Sequence, residues 1–230
     1  MHPVVELTQD LIRFPSMHSR PDEILKCTAF MEGYLARRGV GYRRIEQNGV
    51  PTLLVLRPDG SVPVLLMSHV DVVDAPKELF VPRVANGKLF GRGSIDDKYA
   101  AALSLVLVVE QMEKLKARGK TQADLPCGLL ISGDEEIGGH DGAQAALSQL
   151  KADFAIALDG GHLRKIVTKE KGIVRLKLIG RGKTAHGARP WLGVNAITRA
   201  GDWLAAMHRR EPVPVTVAGL EFREVMSVTR

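Results

Sequence analysis

Val64-Leu65-Leu66-Met67-Ser68-His69-Val70-Asp71 is an apolar run that ends in two chemically capable side chains. The run is too short for a helix, Pro63 marks its entry, and it reads as a buried strand. His69 and Asp71 fall where that strand runs out. Positions two apart in an extended chain face the same way. A metal-binding imidazole usually hands its second ring N–H to a carboxylate, which sets its tautomer and orientation. His-x-Asp can supply both partners, although a core histidine beside a turn aspartate would read the same. What separates the two readings is whether further ligands gather at the same edge.

Upstream, apolar residues at Val4, Leu7, Leu11 and Ile12 predict a helix over 4–14, stopped by Pro15. The same stripe recurs over 23–37, with Gly39 as its stop. Short strands follow at 42–46, 52–56 and 64–68, with turns at Asn48-Gly49 and Asp59-Gly60. Downstream, Asn86-Gly87 marks a hairpin whose returning strand is Lys88-Leu89-Phe90. A glycine-rich stretch, Gly91-Arg92-Gly93-Ser94-Ile95-Asp96-Asp97-Lys98, opens a long apolar helix through 100–116. Residues 127–132 form another buried strand, ending in Gly133-Asp134-Glu135-Glu136. A helix near 142–150 precedes a strand at 154–158 that ends at Asp159.

Strands alternating with helices predict an α/β fold, a mixed or largely parallel sheet flanked by helices. Ligands of such sheets gather outside the carboxyl ends of the strands. His69, Asp71, Glu135, Glu136 and Asp159 all stand at predicted strand ends, and Asp96 opens a helix. After Lys169 the pattern changes: a strand is expected over 173–179, a loop through His186, an amphipathic helix over 194–208, and strands at 213–217 and 222–228. A domain boundary is placed near residue 171, giving domains 1–170 and 171–230.

The chain has 230 residues, 45% hydrophobic and 25% charged, an ordinary globular composition. No apolar run is long enough to span a membrane, and the N-terminus lacks the features of a signal peptide, so the expected location is cytoplasmic. Its two cysteines, Cys27 and Cys127, are read as reduced. Net charge is +6, but the basic residues are scattered among acidic ones and aromatics make up only 5%. Neither a nucleic-acid surface nor a stacking platform follows from that. There is no G-x-S-x-G elbow, no H-E-x-x-H pair, no P-loop and no third glycine after Gly91-x-Gly93. His140 is read as structural or exposed. Glu135-Glu136 sits in a tight turn, so one carboxylate can bind metal while its neighbour serves as a general base.

Ser68-His69-Val70-Asp71, Gly91 to Lys98, Gly133-Asp134-Glu135-Glu136, Asp159 and Gly182-Lys183-Thr184-Ala185-His186-Gly187-Ala188-Arg189-Pro190 together resemble the motifs of one family. It is the zinc-dependent family of aminoacylases, acetylornithine deacetylases, succinyl-diaminopimelate desuccinylases and glutamate carboxypeptidases. The resemblance implies a zinc-peptidase-like catalytic domain followed by part of a smaller α+β lid and dimerisation domain. It implies two divalent ions, zinc first with cobalt or manganese as alternatives. His69 and Asp159 would bind one ion, Glu136 the other, and Asp96 both. Asp71 would orient His69, Glu135 would activate water, and His186 would stabilise the oxyanion from the lid. The implied substrate is a small N-acylated amino acid or peptide, cleaved at its amide bond, by a homodimer joined through the lid. The other reading is a non-catalytic binding or partner domain descended from that family.

Asp74 and Tyr99 depart from the motifs, standing where proline and glycine are usual. The larger departure is that relatives run on past the lid to a further histidine of the second metal site. Beyond His186 this chain has only His208. The expectation is that the second site is incomplete and that this chain alone binds at most one ion firmly, with little or no turnover. Two tightly bound equivalents by metal analysis, together with efficient turnover, would overturn it.

Overall fold

Asn48 and Gly49, both at positive φ (49° and 79°), turn the chain between β1 (Arg43–Gln47) and β2 (Val50–Val55), as the Asn-Gly pair demands. The computed structural model describes residues 2–160 and 164–228. The chain divides into two units, Met1–Arg164 and Lys165–Arg230.

In the first unit, β3 (Ser61–His69), β6 (Cys127–Ser132) and β7 (Lys151–Ala157) join β1 and β2 in a mixed sheet of order β1-β2-β6-β3-β7. The β1–β2 and β2–β6 pairs are antiparallel. The β6–β3 and β3–β7 pairs are parallel. The expected α/β fold, a mixed sheet flanked by helices, is therefore observed. The Arg83–Ala85 and Lys88–Phe90 strands (β4 and β5) form a separate hairpin.

Helices α1 (Pro3–Ile12), α2 (Pro21–Ala36) and α3 (Lys98–Lys116) share one face of the sheet. Leu11, Met31, Leu53, Val55, Leu105, Val108, Leu129 and Ile131 close that core. On the opposite face Leu54, Leu65 and Leu130 pack with Ala146 of α4 (Ala143–Leu147). Alternation does the sorting: Leu53 and Val55 face one way and Leu54 the other. Burial on both faces explains why the 64–67 run is continuously apolar.

Two expectations change in this unit. Pro63 is not the entry of β3, which begins at Ser61. The register with β7 steps over Pro63, which has no N–H to give. The helix expected over 142–150 is confined to Ala143–Leu147. No helix among the described residues is long and apolar enough to cross a membrane. Cys27 is buried and Cys127 half-buried, and neither is bonded to the other.

The second unit contains α5 (Ala196–His208) and a hairpin of β8 (Val213–Val217) and β9 (Leu220–Glu224). Asn195 caps α5, its Oδ1 accepting from Ile197 N at 2.8 Å. Residues 173–179, expected as a strand, carry no regular structure. Their alternation supplies a pattern, but a strand also needs a hydrogen-bonded neighbour, and none pairs with them among the described residues.

Leu65 sits fully buried in β3 between β6 and β7. Leu65→Ala is expected to lower stability by about 2–5 kcal/mol, read from the chemical unfolding midpoint of the first unit. A loss below about 1 kcal/mol would contradict this packing.

Candidate metal centre

Parallel pairing brings three strand ends to one edge. His69 of β3 lies opposite Ser132 of β6, and Met67 opposite Ala157 of β7. The Leu158 N–H continues the ladder to Met67 O at 2.9 Å, so Asp159 emerges level with His69. Asp96 arrives from the turn that precedes α3. His69, Asp96 and Asp159 can each place a donor atom within 4.8 Å of the others. His69 Nε2 lies 3.0 Å from Asp96 Oδ1, 3.8 Å from Asp159 Oδ2 and 3.7 Å from Glu135 Oε2.

Behind His69 stands Asp71, with 0% of its surface exposed. His69 Nδ1 lies 3.0 Å from Asp71 O and 3.3 Å from Asp71 Oδ1. Asp71 Oδ1 accepts from Glu135 N at 3.1 Å, and Oδ2 from Glu136 N at 2.9 Å. Burial alone would raise the Asp71 pKa, but bonds and charge from His69, the His18 bond and the Glu136 amide hold it below the ordinary value. An ionised Asp71 can only accept. The His69 Nδ1 therefore carries the hydrogen, and Nε2 is left to face the carboxylates.

That nitrogen is buried, and although Asp96 Oδ1 lies 3.0 Å away, no contact there has the angles of a hydrogen bond. Burial would lower the His69 pKa, yet the Asp71 hydrogen bond and charge, with Asp97 and Glu135 beyond, raise it to about 10. The surroundings thus favour positive charge on the ring. An imidazole nitrogen and carboxylate oxygens are a donor set that zinc accepts, so these residues fit a divalent cation.

Glu135 and Glu136 open a short 3-10 turn after β6. Gly138 and Gly139 follow at φ 111° and 67°, which a side-chain-bearing residue adopts only with strain. Burial, opposed by His69 and helped by neighbouring carboxylates, raises the Glu135 pKa. Burial and then Asp96 raise that of Glu136. Glu136 Oε1 accepts from Val73 N at 3.3 Å, and Glu136 is not in the three-residue group. His186 belongs to the second unit, where its Nδ1 accepts from Ala188 N at 3.1 Å. His140 is exposed and pairs with Gln144.

Several supporting residues were not assigned from the sequence. Asp97 is fully buried, with its Oδ2 accepting from His69 N at 3.4 Å, and burial pushes its carboxyl up to about 8. Asp134 is buried and accepts from Asp141 N and Gly142 N at 2.9 and 2.8 Å, closing the loop behind Glu136. Lys98 is buried and donates to Leu11 O and Phe14 O at 3.0 and 2.6 Å, tying the Asp96 turn to the end of α1. Gly93 is required beside it, since a Cβ there would meet the Lys98 stem at 2.7 Å. Tyr99 does not crowd the helix start. Its hydroxyl donates to Leu158 O at 2.8 Å, next to Asp159. His18 lies 2.9 Å from Asp71 Oδ2. Gly93, Asp97, Lys98 and Asp134 stood inside the quoted motifs without a role of their own and Tyr99 next to one, whereas His18 lay outside them all.

Residues 65–223 match the family described as "Peptidase family M20/M25/M40". Among curated relatives, a "probable carboxypeptidase" of Arthroderma benhamiae is 31% identical over 170 residues, covering 70% of this chain and 35% of that protein. One from Paracoccidioides brasiliensis is 28% identical, covering 70% and 37%. The chain thus spans about a third of the length of these relatives (35% and 37%). An M20 family metallo-carboxypeptidase of Sulfolobus solfataricus shares the fold at TM-score 0.53 and 20% identity, over 71% of this chain and 38% of that one. A Staphylococcus aureus tripeptidase does so at TM-score 0.57 and 16% identity, over 94% and 62%.

Asp71→Asn presents an amide N–H₂ where buried donors need an acceptor. It is expected to destabilise the first unit by roughly 1–3 kcal/mol, measured by chemical denaturation. Unchanged stability would contradict the bonding described around Asp71.

Proposed function

The chain belongs to the M20/M25/M40 peptidase family, metal-dependent hydrolases by lineage, and from that premise we propose that it carries the metal-binding part of an enzyme that cleaves the amide bond of a small peptide or N-acylated amino acid. The observation behind this reading is the meeting of His69, Asp96 and Asp159, with Glu135 beside them. The names of the relatives, carboxypeptidases and a tripeptidase, favour a peptide over other acyl compounds.

In this reading His69, Asp96 and Asp159 would hold one divalent ion, and Glu136, sharing Asp96, would hold a second. Zinc suits these donors best, with cobalt or manganese as substitutes. A divalent ion held by these residues would supply Lewis acidity to the scissile carbonyl and to water. Asp71 keeps His69 in the Nδ1–H tautomer, so that Nε2 remains a donor atom. Glu135 takes the proton of the attacking water and returns it to the leaving amine. That exchange needs a carboxylate near the reacting atoms but free of the metal, the role the family resemblance gives Glu135, which lies 3.7 Å from His69 Nε2. The resemblance adds, as part of this proposal, an oxyanion-donor role for His186 and homodimer formation through the second unit.

Glu135→Gln keeps the shape and removes the base. Zinc content is expected to stay unchanged, while turnover of dipeptides and of N-acetyl and N-succinyl amino acids falls at least about 100-fold. Turnover is read on the metal-supplemented chain and on a version extended to the length of its relatives. Unchanged turnover in Glu135→Gln would refute the assignment.

A further inference from the structure

The loop after α1 is stitched along the segment that follows His69. Ser16 is fully buried, and its Oγ donates to Val70 O at 2.6 Å. Val72 N donates to Ser16 O at 3.0 Å, and Met17 and Val72 form a parallel bridge. Ala75 N contacts Met17 Sδ at 3.2 Å. Ser19 Oγ donates to Asp74 Oδ1 at 2.7 Å, which gives the departure at Asp74 a partner in this loop. Between Met17 and Ser19 the loop presents His18, whose Nε2 reaches Asp71 Oδ2 at 2.9 Å. An ionised Asp71 can only accept, so His18 donates Nε2–H.

We infer that His18 is a positioning residue of the metal centre, acting through Asp71 on both His69 and the Glu135–Glu136 turn. The inference rests on the metal-centre reading above. Each Asp71 oxygen meets one donor from the turn and one imidazole: Oδ1 meets Glu135 N and His69 Nδ1, and Oδ2 meets Glu136 N and His18 Nε2. A planar carboxylate held at both oxygens has one orientation. Without His18, each oxygen still meets a turn amide, but Oδ2 loses its second donor and the 3-10 turn alone must hold that end of the carboxylate. A carboxylate so loosened shifts Oδ1, which lies 3.3 Å from His69 Nδ1 beside that nitrogen's 3.0 Å bond to Asp71 O, and with it the two amides that fix the turn. His18 itself stays at the surface side, with 27% of its side chain exposed, and touches no proposed ligand directly.

The test is a zinc titration of the chain by calorimetry, comparing the unaltered protein with His18→Ala, His18→Gln and the exposed control His140→Ala. Removing a partner behind a metal ligand typically weakens binding 10–100-fold, and His18 stands one step further back. The expected loss in His18→Ala is therefore about tenfold. His18→Gln places an amide N–H near the Nε2 position and is expected to bind within about threefold of the unaltered chain. His140→Ala should match it. Amide NMR of the metal-free protein gives a second readout: the Glu135 and Glu136 resonances move in His18→Ala and return in His18→Gln. Equal zinc affinity in His18→Ala, unmoved Glu135 and Glu136 amides, or a loss that glutamine does not restore would overturn the inference. If the unaltered chain binds no zinc, the metal-centre reading falls, and the NMR comparison still decides the role of His18.

Discussion

A carboxylate sealed from water must have its charge answered by the chain itself. Asp71 meets that requirement with two imidazoles and two amides drawn from three separate stretches, the loop after α1, the end of β3 and the turn after β6. The arrangement leaves His69 no freedom of tautomer. Its Nδ1 is committed to Asp71, so Nε2 points into a group of acidic side chains that would otherwise repel one another. The chemistry proposed for this chain depends on that constraint.

Topology makes the constraint useful. Parallel β6, β3 and β7 end on one edge, and the loops leaving them carry Glu135 and Glu136, His69 and Asp71, and Asp159. The fourth contribution, Asp96, needs no strand. It is delivered by a glycine turn anchored by Lys98, whose ammonium is bonded to carbonyls at the end of α1. Burial pushes that ammonium down to about 8. Tyr99, one residue on, binds the carbonyl preceding Asp159. Successive residues thus tie the Asp96 turn to α1 on one side and to β7 on the other.

Much of this was legible beforehand because it is local. Apolar runs that end in a polar, chemically able residue mark strand ends, and Asn48-Gly49 and Asn86-Gly87 mark their turns. What escaped was set by distant partners. Nothing near His18 shows that its loop lies along residues 70–75, because that depends on Ser16, Met17 and Ser19 finding Val70, Val72, Ala75 and Asp74. Asp97 drew no assignment from the sequence; it stands at the N-cap of α3, yet its carboxylate turns to the His69 amide rather than to the helix. Residues 173–179 show the opposite failure, since their alternation is clear and no strand among the described residues pairs with them. Pro63 suggested a boundary, yet β3 passes through it where the register needs no donor.

If His69 Nε2 and the carboxylates of Asp96 and Asp159 form one cation site, X-ray absorption of the zinc-loaded chain will show only nitrogen and oxygen neighbours at about 2.0–2.2 Å, with an imidazole signal that disappears in His69→Ala. A sulfur shell at about 2.3 Å, or an imidazole signal that survives His69→Ala, would contradict it.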